Sequence, residues 1–281
     1  MGTAKYYCST SDVYRHAGIG SNVVSTSNVI EYIQEAEADV DAITQTTYWQ
    51  LAHSSTSVTG TTASLDTTGL TADEHIGNVI KVTSGSSTEY RIVTDNTSTT
   101  VSVDRDWTTV PNSTTSYQIF HCGTPPYTHA TTDGDGQVTM YTDDFPLVNL
   151  ESMTIAATTV TPSYVYQYKD EGQLTLKSSA EYTNFDASNR QSVNIKYWFG
   201  VKDEYKNTVP FLVRKYVAIV AALMALIYQI GGTYDDVTVF ALGPMSGSLG
   251  EPYTNIREAV LKLTLERDRI QKKLIIYNHL Y

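Results

Sequence analysis

The chain is poor in the residues from which most functional signatures are built. Its 281 residues include two cysteines, Cys8 and Cys122, too few for a disulfide framework. Basic residues are scarce: 19 Lys and Arg stand against 30 Asp and Glu, a formal net charge of −11. A protein that reads or tracks nucleic acid needs a basic face to neutralise phosphates, so that class is disfavoured. The six histidines show neither the two-turn spacing of a helical zinc motif nor paired cysteines, and no metal or cofactor is expected. No P-loop or dinucleotide fingerprint occurs, and Ser246 in GPMSG stands one place off a nucleophile elbow. Asp133 and Asp135 in DGDG lack the later acidic ligands of a calcium loop and read as turn residues. Neither a basic n-region nor an apolar leader opens the sequence, which implies synthesis inside the cell. Together these absences favour a structural protein over an enzyme.

What is present is uneven. Residues 1–200 carry 9 Lys and Arg against 22 Asp and Glu, whereas 201–281 carry 10 against 8, so the acid belongs to the front. One long apolar run stands out at 209–232, VPFLVRKYVAIVAALMALIYQIGG. Thr208 can cap it, Pro210 suits the first turn and Gly231 with Gly232 stop it. It is apolar on nearly every side from Val217 to Ile230, which calls for a central, buried helix. Arg214 and Lys215 inside it argue against a membrane span. Residues 28–46 repeat Val29, Ile33, Ala36, Val40 and Ile43 at helical spacing, and the opposite side gathers Glu31, Glu35, Glu37, Asp39 and Asp41 without basic partners. A short helix over 12–17, capped by Thr10 or Ser11, precedes it. A last helix over 255–277 carries Ile256, Val260, Leu263, Ile270, Leu274 and Tyr277 on a near-heptad stripe broken by Arg267 and runs into an uncapped apolar tail, Ile275, Ile276, Tyr277, Leu280 and Tyr281.

Between the helices the period changes to two. Five short strands, over 58–65, 78–83, 89–94, 99–104 and 116–120, predict a small barrel or sandwich with Ile80, Ile92, Trp107 and Ile119 inside. A second β-rich stretch follows to 198, and Tyr164, Tyr166 and Tyr168 share one face of a strand there, either a packed or half-exposed sheet face or a contact surface for another subunit. The expected fold is α+β: a helical core of two N-terminal helices, a buried central helix and a C-terminal helix, with small β-barrel or sandwich modules inserted. The expected division is 1–53, 54–123, 124–200 and 201–281.

The order of these parts resembles the head–tail connector, or adaptor, proteins of tailed double-stranded DNA viruses. The residues that carry the likeness are SDVYRHAGI at 11–19, VIEYIQEAE at 29–37, DFPLV at 144–148 and SVNIKYWFG at 192–200 ahead of Val209 and Pro210. The segments GNVIKVTSG at 77–85 and DWTTVP at 106–111 look like a module found in virion proteins. The resemblance implies a dodecameric ring in the virion neck, assembled in the host cytoplasm without a membrane, with the portal protein on one side and a tail protein on the other. It further implies that double-stranded DNA passes the acidic face of Glu31, Glu35, Glu37, Asp39 and Asp41, and that the tail from Ile275 docks on the portal. Tyr164, Tyr166, Tyr168, Ala218 and Ala222 fall to the contacts between subunits. A second reading is a carbohydrate- or surface-binding β module of a virion tail, motivated by the Thr- and Tyr-rich strands.

Overall fold

A computed structural model describes residues 5–178, 182, 184–185, 190–202, 207–233 and 252–278. The chain divides into two compact units, one over Gln45–Val209 and one that joins Ala4–Thr44 to Pro210–Leu280.

The second unit is helical. Helix α1 (Thr10–Ala17) is capped by Ser9, whose side chain accepts from the Asp12 amide while the Asp12 carboxylate accepts from Ser9 in return. This reciprocal capping box satisfies two amide donors that a helix start otherwise leaves free, and it lies just before the two residues that spacing favoured as the cap. Helix α2 (Thr26–Thr44) buries Val29, Ile33, Ala36 and Val40, the stripe that its spacing implies. Helix α3 (Phe211–Thr233) packs against α1, α2 and α4 (Pro252–Asn278). It is long and apolar enough to cross a membrane, and 61% of its most apolar window is buried inside the molecule. Ala218, Ala221, Ala222 and Ala225 are all buried, so this small-residue side of α3 is already covered.

The first unit is β. Strands β1 (Gln50–Gly60), β2 (Ser64–Asp66), β3 (Val79–Ser84), β4 (Ser87–Asn96), β5 (Thr100–Val103) and β6 (Thr115–His121) close a barrel in the order β1-β2-β5-β4-β3-β6. Closure leaves no free edge to pair with another chain. Val58, Leu65, Ile80, Val93, Val101, Trp107 and Ile119 fill it. Ile92 lies outside this group, packed against a second cluster instead. The stretch 58–65 is not one strand: it turns after Gly60, where a β carbon would meet the Ser64 carbonyl oxygen.

A four-stranded sheet, β10-β9-β13-β7, and a three-stranded sheet, β11-β12-β8, complete the unit. Their strands are β7 (Tyr127–Thr132), β8 (Thr139–Tyr141), β9 (Leu147–Ile155), β10 (Thr158–Val160), β11 (Val165–Tyr168), β12 (Gln173–Leu176) and β13 (Val193–Phe199). Leu150, Met153, Leu174, Leu176, Phe185 and Ile195 share one core between them.

The expected helical core with inserted β modules is therefore corrected. Thirteen strands against four α-helices make the described molecule mostly β. The physical reason is a cluster of Trp49, Val79, Tyr90, Phe120, Val148 and Trp198. It draws on β3, β4 and β6 of the barrel and on β9 and β13 of the sheets, so the two β-rich stretches share a core instead of hanging separately from a helical frame. The Trp49 ring meets Tyr90, Phe120 and Trp198 edge-on at centroid distances of 5.7, 5.4 and 6.4 Å, the geometry favoured by ring quadrupoles.

Candidate interaction surfaces

The three-stranded sheet presents the most distinctive exposed surface. In its register Tyr168 faces Gln173 and Gln173 faces Tyr141, while Tyr166 faces Thr175 and Thr175 faces Thr139. Residues paired across strands share a side, so these six side chains form one face. Its other side carries Val165, Leu174 and Leu176 into the core. Tyr141, Tyr166 and Tyr168 are 66%, 53% and 50% exposed. The polar groups between the rings are organised: Gln173 Nε2 donates to Thr175 Oγ1 at 3.1 Å, and the Thr139 and Thr175 hydroxyls are 3.0 Å apart. Lys177 Nζ donates to the Ser163 carbonyl at 2.6 Å and sits 4.7 Å from the centre of the Tyr166 ring. Tyr164 lies in the 3-10 turn just before β11 and is also exposed. The alternation at 164–168 marks the tyrosines in the sequence, but Tyr141 joins them only through strand register.

The acidic helix separates into two sets. Glu31 and Glu35 are on the surface. Glu37 and Asp41 are buried, where Glu37 Oε1 accepts from the Tyr7 amide at 2.6 Å and the Tyr7 hydroxyl donates to Asp41 at 3.1 Å. Asp39 is exposed yet accepts from the Tyr216 hydroxyl at 2.7 Å, tying α2 to α3. Burial and the Asp39 carboxylate together push the Tyr216 phenol up. Three of the five acids thus hold the helical unit together. In the tail Ile275 is exposed; the side chains of Ile276 and Tyr277, and all of Leu280 and Tyr281, lie outside the described residues. Ala218, though buried, borders a cleft with Arg15, His16, Phe211 and Arg214.

One feature of α4 is absent from the expectations above. At 100° per residue, Leu261, Leu265 and Ile275 fall within an arc of about 80° on the side opposite the buried Leu263, Ile270 and Leu274. Leu261 is 55% and Leu265 71% exposed. Asp268 and Lys272 fall in the same arc, so the apolar part of this side is the pair Leu261 and Leu265, one turn apart, while the opposite stripe packs on the helix's own unit. The signal was two leucines one turn apart, off the main stripe.

No group of three His, Cys, Asp or Glu side chains suited to a metal occurs among the described residues. Asp135 accepts from the Gln137 amide at 2.9 Å, as a turn residue does, and Ser246 lies outside the described residues. The barrel does hold a polar chain: Thr67 Oγ1 contacts the Tyr117 hydroxyl, which lies 2.9 Å from His53 Nδ1. Among the described residues no carboxylate is bonded to His53 to orient it as a general base.

Burial holds the His53 pKa below the usual histidine value. The unfolded chain, with an ordinary value of about 6.5, therefore takes up the proton first as pH falls, and the folded state loses stability on acidification. The β unit is expected to melt at progressively lower temperature as the pH is taken from 7 to 5, and His53→Gln should flatten that slope. All three tryptophans lie within Gln45–Val209, so tryptophan emission followed during melting reads this unit alone.

No family model and no curated protein matches the chain.

Proposed function

We propose that the chain is a structural, non-enzymatic virion subunit that assembles into a ring joining the portal to the tail, with DNA passing through its lumen. The observation that carries this reading is the exposed leucine pair Leu261 and Leu265 on the outer side of α4. Burying an exposed leucine contributes about 1.5–3 kcal/mol, and Leu261 with Leu265 offers two such side chains one turn apart on a rigid helix. A head-to-tail contact between copies is the arrangement that closes a ring. The front-loaded acid agrees with it, because exposed Glu31 and Glu35 repel a passing polyanion within the roughly 8 Å over which salt leaves charge unscreened. The tail from Ile275 is assigned to the portal.

Sedimentation velocity with negative-stain imaging tests this reading. The wild-type protein is expected as a closed ring with a central hole. Leu261→Glu combined with Leu265→Glu is expected to sediment as single subunits with unchanged circular dichroism. A wild-type protein that stays monomeric with and without portal-bearing heads overturns the function; a ring indifferent to both substitutions removes α4 from the contact.

A further inference from the structure

We infer that the outer face of the β11-β12-β8 sheet is a glycan-binding platform, suited to a flat, uncharged chain of β-1,4-linked pyranoses. This goes beyond the ring reading and does not depend on it.

The rings are placed by the sheet itself. Tyr168 and Tyr141 flank Gln173 from the two neighbouring strands, so their backbones stand about 10 Å apart, two strand spacings. Tyr166 and Tyr168 are two residues apart along β11, roughly 7 Å. The cross-strand interval of about 10 Å matches the two-sugar repeat of an extended β-1,4 ribbon, which would therefore cross the strands from Tyr168 to Tyr141, with Tyr166 beside it. Tyrosine supplies a large rigid contact at low conformational cost, and the Lys177 ammonium over Tyr166 further fixes that ring. Pyranose C–H groups settle on ring faces, whereas their hydroxyls need hydrogen-bonding partners at the same level. Gln173, Thr175 and Thr139 supply these, held among the rings by their mutual contacts.

Charge selects the ligand class. The six outward positions, Thr139, Tyr141, Tyr166, Tyr168, Gln173 and Thr175, carry no ionisable group that is charged at neutral pH, in a chain of net charge −11. Nucleic acid finds no cation among these six positions; Lys177 at the margin and Lys169 next to Tyr168 are offset by Asp170 and Glu171, and the rest of the chain repels it at long range. An apolar protein surface would strip water from the central amide and hydroxyls without replacing their bonds, which disfavours it. A neutral polyhydroxylated ribbon satisfies both the rings and the polar groups between them.

Titration calorimetry of the full-length protein against cellohexaose and chitohexaose, with maltohexaose as the non-flat comparison, tests the proposal. Saturable binding of one or both β-1,4 chains is expected, with maltohexaose silent. Tyr166→Ala combined with Tyr168→Ala should weaken binding at least about tenfold, or about 1.4 kcal/mol, since two of the three ring faces are removed. Tyr168→Phe should retain it. Because these side chains are exposed, the melting temperature should hold in every variant. Three flat titrations overturn the proposal, as does binding that survives the double alanine variant. Ring assembly lost in that variant without any sugar binding by the wild type also overturns it and makes the face a contact between subunits.

Discussion

Trp49→Ala is expected to destabilise the β unit by about 3–5 kcal/mol, the range for removing a large buried aromatic. The side chain is fully buried and is the ring that Tyr90, Phe120 and Trp198 all meet. Its Nε1 donates to the Phe199 carbonyl at 2.9 Å. The neighbouring Gly200 shows how tightly the site is packed: at φ 116°, a β carbon there would lie 2.7 Å from that same nitrogen. Little backbone can collapse into the space left by alanine, which puts the cost towards the upper end. Trp49→Phe keeps most of the ring contact and loses the hydrogen bond, so a loss of about 1 kcal/mol from that bond is added to a smaller packing cost. Urea unfolding followed by near-ultraviolet circular dichroism measures both. A Trp49→Ala midpoint within error of the wild type would show that the barrel and the sheets do not depend on their shared aromatic cluster.

Ala222→Glu should have an effect of similar size in the helical unit. Ala222 is fully buried on α3. A carboxylate forced there loses its water without gaining a partner, a penalty of several kcal/mol whether it stays charged or is driven to take up a proton. The expected outcome is loss of helical circular dichroism and rapid proteolysis of α3 and α4. Tryptophan emission should persist, since no tryptophan lies in that unit. A soluble Ala222→Glu protein with full helicity would mean that α3 is not the packing axis of its unit.

The parts of the molecule that were legible are those fixed by neighbours in sequence. The stripe Val29, Ile33, Ala36 and Val40 is buried because four-and-three spacing puts it on one side of any helix. Tyr166 and Tyr168 share a face for the equally local reason of strand pleat. What escaped were contacts made by distant residues. Glu37 and Asp41 read as part of a solvated acidic face, but Tyr7, 30 and 34 residues away, fills the space above them and supplies the donors that make their burial tolerable. The weight of β structure over helix escaped for the same reason. Trp49 and Trp198 lie on either side of most of the β unit, and no local pattern announces that they touch. The surface of α4 was hidden differently: one stripe was enough to explain a helix, so Leu261 and Leu265 passed as ordinary filler.

The helical unit is assembled from the two ends of the chain, with Gln45–Val209 in between. During synthesis α1 and α2 leave the ribosome with their apolar stripe uncovered, and α3 follows only after the whole β unit has been made. At 5–20 residues per second that interval is on the order of ten to thirty seconds. The β unit, continuous in sequence, can fold within it. Glu31, Glu35, Glu37, Asp39 and Asp41 then act as a temporary solubiliser, keeping a waiting amphipathic helix dispersed until its partners arrive. The leucine pair of α4 proposed to join copies emerges after α1, α2, the β unit and α3, so no subunit can recruit another through it before those parts have been made.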